Sequence, residues 1–423
     1  MCRYWREDVA VAKAEAKSKV MVVLVSEQRM QNLIPCFQKD STITNVHLVR
    51  SSDADNPDSR LGKAWSDTKA VLEERKLEVV DADVAVDAYD PASTEKVVKR
   101  LLDKLAHHKR TAVVNFTGGT KCMAVGAYLA ARQAGVATLY VDTARRQLLL
   151  RAHDDQPCAV PFELDGLSID TYFRAYGLNP RVNDGQILER YAKIMTVIRR
   201  YWPGSAATLD MWGKHFDQKS SSRRKRRLSG AVKVSWRPSD EVECELWAVL
   251  EEARLFCQEG EEFFASAEAR QFLTGRWLEC LTYQLLRESN CFDEVAFDLH
   301  LTEKNTALAA GPGEASPAST TAPTGGAANQ LDVVTIEQGN LAVFECKSGN
   351  LRGQDTLNKL QALWTRLGTF ARLFLVTSCP LDEISGDFRY RARAYRLARI
   401  ITREDLEDAG KLKDAVLKAV GGS

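Results

Sequence analysis

Over the first 150 residues, continuous apolar runs alternate with amphipathic stretches. KVMVVLVS at 19–26 carries no charge after its first residue and closes on a small polar one. That is the pattern of a strand buried on both faces. NVHLVRS (45–51), LEVVDADVAV (77–86), TAVVNFTGG (111–119) and VATLYVDT (136–143) follow it. STEKVVKRLLDKLAHHKR (93–110) and KCMAVGAYLAARQAG (121–135) instead repeat their apolar positions at helical spacing. Alternating strand and helix predicts an α/β domain, an open parallel sheet with helices on both faces, over residues 1–150.

The pattern then changes. Over 151–265, IDTYFRAYGL (169–178) reads as a connector and GQILERYAKIMTVIRRYW (185–202) as a helix. ELWAVLEEARLFCQEGEEFF (245–264) is amphipathic and helical, and SSSRRKRRLSG (220–230) is a basic polar loop. The segment is expected to be a linker with a small helical or winged-helix unit. Residues 266–423 open on a helix, SAEARQFLTGRWLECLTYQLLRES (266–289). Strands EVAFDLHL (294–301), LDVVTIEQ (331–338) and LAVFECKS (341–348) follow, then helix LNKLQALWTRLG (357–368) and strand ARLFLVTS (371–378). The order αβββαβ predicts a mixed sheet. Gly339-Asn340 supplies a two-residue hairpin turn between the second and third strands. Residues 305–328, rich in Ala, Gly, Pro, Ser and Thr, read as a flexible loop interrupting the first hairpin.

Composition narrows the class. Lys+Arg number 58 against 57 for Asp+Glu, so any hold on a polyanion must come from local clusters. The 10 cysteines form no CxxC pair, which argues against a zinc knuckle or a thioredoxin-like motif. With no signal peptide, a reducing cytoplasm is expected. No apolar run approaches the roughly 20 residues of a membrane span.

Within the apolar run LAVFECKS, Glu345 and Lys347 share one strand face, because residues two apart point the same way. A charge so placed is either a strand-end ion pair or a site. Counting outward from Gly339-Asn340 puts Asp332 opposite the region of Lys347. Glu279, in GRWLECLTYQLL on the preceding helix, projects toward the same sheet edge. Carboxylates suit a hard cation such as Mg²⁺ or Mn²⁺, and a lysine there can orient a nucleophile or steady developing charge. Helix-Glu, strand-Asp and strand-ExK in this order resemble the PD-(D/E)xK nuclease family. The resemblance implies a metal-dependent, restriction-endonuclease-like domain acting on DNA and/or single-stranded RNA. It implies Glu279, Asp332, Glu345 and Lys347 as catalytic residues. It also implies metal ligation by Glu279, Asp332, Glu345 and the Cys346 carbonyl.

NFTGGTKCM at 115–123 lies where a strand passes into a helix. Gly118 and Gly119 allow a tight turn, and Thr120-Lys121 open a helix whose N-terminal amides attract phosphate. The spacing fits neither a P-loop nor a dinucleotide fingerprint. The motif resembles the TGGTK turn of CARF domains, Rossmann-like sensors of cyclic oligoadenylates, over about residues 19–145. That implies ligand contacts from Ser26, Thr117, Gly118, Gly119, Thr120, Lys121 and Met123, with Asn115 also matching. A CARF domain followed by a PD-(D/E)xK domain resembles the ancillary nucleases of type III CRISPR antiviral systems. Those are homodimers switched on by cyclic tetra-adenylate, and a fourfold-repeating ring suits two identical patches.

Other features read more plainly. Arg223, Arg224, Lys225, Arg226 and Arg227 form a solvated loop with weak capacity for nucleic acid. His107-His108 cap a helix, and Trp277 and Trp364 are core. Gln361 reads as a surface residue with a lesser chance of touching the site. Two alternatives stand beside the nuclease: a CARF-linked transcriptional regulator with a winged helix over 180–265, and a stand-alone restriction-type nuclease.

Overall fold

The computed structural model describes residues 19–152, 157–182, 186–218, 232–234, 236–259, 262–303, 329–349, 351, 354–368, 371–395 and 397–421. The basic loop at 220–230 and the loop at 305–328 lie outside the described residues.

The first apolar runs become β1 (Lys19–Leu24), β2 (Ile43–Val49), β3 (Glu78–Asp81), β4 (Thr111–Asn115) and β5 (Ala137–Asp142). All five pair in parallel, in the order β3-β2-β1-β4-β5. β1 is buried from Val20 to Leu24, as a central strand covered on both faces must be. The sheet continues past residue 150: β6 (Gln147–Arg151) and β7 (Cys158–Pro161) add two antiparallel strands beyond β5.

After the helix Ile169–Ala175, β8 (Leu178–Val182) leaves that sheet and becomes the edge of a second one. Between them and the nuclease-type strands lie helices Gln186–Arg200, Gly204–Gln218 and Glu241–Glu252. A small antiparallel sheet accompanies them: β9 (Val232–Val234), β10 (Phe256–Glu259) and β11 (Glu262–Ala265). Residues 169–175, read as a connector, are helical, and the stretch 245–264, read as a helix, is helical only to Glu252 before it turns into the β10–β11 hairpin. The core of the 151–265 segment is not its own, however. Trp212, Trp247 and Phe256 belong to one hydrophobic cluster with Trp277 and Phe344.

The second sheet runs β16-β15-β14-β13-β12-β8, with β12 (Glu294–Glu303), β13 (Asn329–Glu337), β14 (Asn340–Lys347), β15 (Arg372–Thr377) and β16 (Arg399–Ile401). β12, β13 and β14 are antiparallel, and β14, β15 and β16 are parallel. The helix Trp277–Glu288 covers one face and Gln354–Leu367 the other. The αβββαβ order therefore folds as a mixed sheet.

The hairpin turn sits one residue earlier than its composition suggests. Glu337 pairs with Asn340, so Gln338 and Gly339 are the turn, at φ 46° and 77°. A two-residue turn matched to strand twist needs left-handed backbone at both positions. Gln338 tolerates it because it is held from both sides: its side-chain oxygen accepts the Leu164 amide at 2.8 Å and its backbone N–H donates to the Asp293 carboxylate at 2.7 Å. Asn340 lies in the strand and donates to Glu337 O and Gln338 O.

The same turn abuts the first domain. A Cβ on Gly339 would lie 3.1 Å from Leu164 and 3.3 Å from Leu167. One hydrophobic cluster continues from Met21 and Val23 through Leu167 and Tyr172 to Leu331, Ile336 and Leu360. Gly339→Val should therefore cost about 1–2 kcal/mol in left-handed backbone alone. Calorimetry should show a lower thermal midpoint; an unchanged midpoint would contradict this turn.

Candidate functional site

Val333 pairs with Phe344, so the next residues outward, Asp332 and Glu345, face one another. The expected partner of Asp332 was Lys347. The difference follows from the shifted turn. It brings two carboxylates face to face at the end of the sheet, where their mutual repulsion must be offset.

Both are buried: Asp332 is 7% exposed and Glu345 1%. Asp332 accepts the Cys346 amide at 2.7 Å. Glu345 is bracketed by ammonium groups, Lys347 Nζ at 2.9 Å from Oε1 and Lys359 Nζ at 2.8 Å from Oε2. Burial pushes the Asp332 carboxyl up to about 8, helped by the Glu345 and Glu279 carboxylates. Burial disfavours charge on Lys347, yet Glu345 outweighs it and holds the lysine above its usual value.

Glu279 follows a π-type turn, Phe272–Arg276, that interrupts the helix. Its carboxylate accepts from Arg276 at 3.1 Å, and Arg276 also binds Asp298 at 2.8 Å. Burial raises the Glu279 pKa, with Arg276 pulling the other way. Asp298 lies in register with Asp332, between the pairs Phe297–Val333 and Leu299–Leu331. Its φ of 50° breaks the ladder there. A cavity of about 330 Å³, lined by Arg276, Glu279, Asp298, His300 and Gln330, opens beside it.

Among the described residues, no three Asp, Glu, His or Cys side chains converge to hold a metal ion as placed. Asp332 and Glu345 offer two hard oxygen donors, and a divalent cation would offset both the burial and the neighbouring carboxylates that raise Asp332. The donor set fits such an ion as a two-carboxylate site, with Glu279 drawn aside by Arg276.

Three contributors escaped the sequence reading. Arg276 precedes Glu279 by one helical turn, a spacing visible in GRWLE. Asp298 stands as a lone acid in the apolar run VAFDLHL. Lys359, not Gln361, reaches Glu345 from the following helix, and nothing in an amphipathic helix marks it. Behind the site, Asp210 accepts the Ser378 hydroxyl at 2.6 Å, and that hydroxyl accepts the Gly349 amide at 3.0 Å. Burial pushes Asp210 up to about 6. Trp277 is fully buried, and Trp364 packs against the core.

In the first sheet, β1 and β4 are neighbours, yet the chain winds from β1 to β2 and β3 on one side and to β5 on the other. This is the switch point where open α/β sheets bind ligands. Ser26 lies two residues beyond β1, and residues 117–120 form the turn from β4 into the helix that Lys121 opens. The backbone there is packed closely: a Cβ on Gly118 would lie 2.4 Å from Leu24 O and 3.3 Å from Ser26. Gly119 has φ 72°. Thr117 is spent on the turn, donating to Asn115 at 2.7 Å and accepting Val141 N at 2.8 Å. Thr120 caps the helix Lys121–Gln133 by accepting from Met123 N. Met123 itself is 2% exposed, within the core. Lys121 is exposed at the helix start. It borders a cavity of about 680 Å³ walled by Phe116, Tyr128 and Tyr140.

From Ser26, contacts lead toward the second sheet. Arg29 donates to Ala175 O at 2.8 Å, pairs with Asp67 at 3.3 Å and lies 5.2 Å from the Tyr176 ring centroid. Tyr176 stacks on Tyr172, whose hydroxyl donates to Leu367 O at 2.9 Å. Leu367 ends the helix that carries Lys359.

A Rossmann-like sheet with a phosphate-type turn, sharing a core with a mixed sheet that gathers carboxylates and lysines, defines a sensor domain joined to a nuclease-type domain. The Card1 CARF domain family matches residues 20–170, and the Card1-like endonuclease domain family matches 319–420. The chain is a CARF domain followed by a Card1-like endonuclease domain. Protein VC1899 from Vibrio cholerae has a similar fold: TM-score 0.72, 18% identity, 96% of this chain and 100% of that one. So has Can2 from Sulfobacillus thermosulfidooxidans, solved with cyclic tetra-adenylate: TM-score 0.66, 19% identity, 96% and 98%. No curated protein matches the chain. Among the described residues, no helix is long and apolar enough to cross a membrane.

The raised Asp332 pKa fixes a sign. The unfolded chain releases this proton near pH 4, while the metal-free native state holds it to about 8. Asp332 therefore favours the fold most below about pH 4, and that contribution is lost as pH rises through 8. In chelator, Asp332→Asn should melt above the parent protein at pH 9, with the gap closing toward pH 4. A variant that melts lower at pH 9 would contradict the clustering.

Proposed function

We propose that the protein is a metal-dependent endonuclease of type III CRISPR antiviral defence. It would cleave phosphodiester bonds of DNA and/or single-stranded RNA in the cytoplasm and be switched on by cyclic tetra-adenylate. The observation that carries this reading is the facing pair Asp332–Glu345 with Lys347 beside it, in a chain whose residues 20–170 match a CARF domain.

Asp332, Glu345 and the Cys346 carbonyl would hold Mg²⁺ or Mn²⁺, with Glu279 supporting a second ion or a water. Such an ion, when bound, acidifies water and polarises the phosphate. Lys347 orients the nucleophile and steadies charge on the phosphate oxygens. The PD-(D/E)xK assignment rests on the order of these residues across helix and strands.

On the sensor, Ser26, the Gly118-Gly119 backbone and Lys121 meet the ring phosphates at the switch point. Thr117, Thr120 and Met123 shape the turn from behind. Two copies of the chain would share one ring across a two-fold axis. Val125, Leu129 and Tyr140, exposed by 51%, 41% and 41%, lie around the cavity beside Lys121 and suit burial against a second copy. Activation requires that the ligand bind the cutting arrangement more tightly than the idle one.

The test incubates full-length protein with supercoiled plasmid and labelled single-stranded RNA and DNA, in Mn²⁺ or chelator, with cyclic tetra-adenylate, cyclic hexa-adenylate or neither. Cleavage only with Mn²⁺ and cyclic tetra-adenylate is expected. Lys347→Ala should lose about 10²–10³ in rate at saturating activator, the scale of one lost transition-state donor. Lys121→Ala should keep its maximal rate and need more activator. Silence of every reaction would end the enzyme reading, and equal cutting without cyclic nucleotide would remove the switch.

A further inference from the structure

Glu345 has more cation around it than a strand-end ion pair needs. Lys347 already meets Oε1 from the same strand at 2.9 Å. Lys359 adds a second ammonium from a different element, at 2.9 Å from Oε1 and 2.8 Å from Oε2. Asp332 faces this carboxylate across the hairpin. The Lys359 side chain is 43% exposed, against 1% for Glu345, so water can receive its ammonium without a buried charge being created there.

The helix carrying Lys359 is fastened at its far end to the sensor. Leu367 O accepts from Tyr172, and a Cβ on Gly368 would lie 2.5 Å from the Tyr176 hydroxyl oxygen. Tyr176 in turn lies under Arg29, three residues beyond Ser26.

We propose that Lys359 is a positioning residue of the nuclease site: a resident counter-ion on Glu345 that a divalent cation must displace. This deepens the nuclease reading and rests on it. Lys359 keeps the buried carboxylate neutralised and aligned while the site is idle. A divalent cation needs at least one Glu345 oxygen, so it competes with Lys359 and not with Lys347 alone. Because the lysine rides on a helix clamped to Tyr172 and Tyr176, a shift at Arg29 changes its hold on Glu345.

Mn²⁺ is titrated into full-length protein without nucleic acid or activator, with free Mn²⁺ read by electron paramagnetic resonance. Lys359→Gln should bind Mn²⁺ about tenfold more tightly than the parent protein. Lys359→Arg, which keeps the charge, should bind like the parent. Unchanged or weaker binding by Lys359→Gln would overturn the proposal. A second readout needs no variant: on adding Mn²⁺ to the parent protein, amides of the 357–367 segment should exchange faster, and unchanged or slower exchange counts against it. The parent's activator-dependent cleavage, run in parallel, separates the two failures. An inactive parent removes the nuclease reading, whereas an active parent with unaltered Mn²⁺ affinity in Lys359→Gln removes only the counter-ion role.

Discussion

A carboxylate with 1% of its side chain in contact with water cannot stand alone in a folded protein. Glu345 is that group, and much of the second domain is arranged around its charge. The strand supplies Lys347, the next helix supplies Lys359, and the hairpin sets Asp332 opposite. Two acids facing each other beneath two ammonium groups are costly as pure architecture. Apolar residues of similar volume are often neutral or more stable at such positions. The arrangement makes sense as a site whose charge is meant to be exchanged.

The proposed exchange would be governed from a distance through the packing that the two domains share. One hydrophobic cluster runs from β1 across to β13, so the two sheets share a packed core. Gln338 and Gly339 press against Leu164 and Leu167, so the turn that sets the Asp332–Glu345 register is itself braced by the sensor. Arg29, Tyr176, Tyr172 and Leu367 form a second connection, from the segment after β1 to the helix that carries Lys359. Interiors packed this way pass small displacements on as repacking, not as gradual deformation.

Much of this was legible in the residues. Unbroken apolar runs gave the parallel strands, and TGGTK at a strand-to-helix passage gave the switch-point turn. Glu345 and Lys347 stood out because charge inside an apolar strand needs a reason. The turn was misplaced by one residue because Gly339-Asn340 has the better composition, while Gln338 is rescued by long-range contacts with Asp293 and Leu164. That single step exchanged Lys347 for Glu345 opposite Asp332. Lys359 was illegible for a different reason. A lysine on the polar side of an amphipathic helix looks solvated until the fold sets a buried carboxylate beside it. The 151–265 segment was hard to divide because its aromatic core is completed by the nuclease sheet.

The central claim is that the Asp332–Glu345 pair is built to take a divalent cation. Its most direct measurement is an anomalous difference map from Mn²⁺-soaked crystals, collected at the manganese edge. The account predicts a peak between the two carboxylates, with the Lys359 ammonium moved off at least one Glu345 oxygen. No peak there, with both lysines still seated on Glu345 at saturating Mn²⁺, would contradict it.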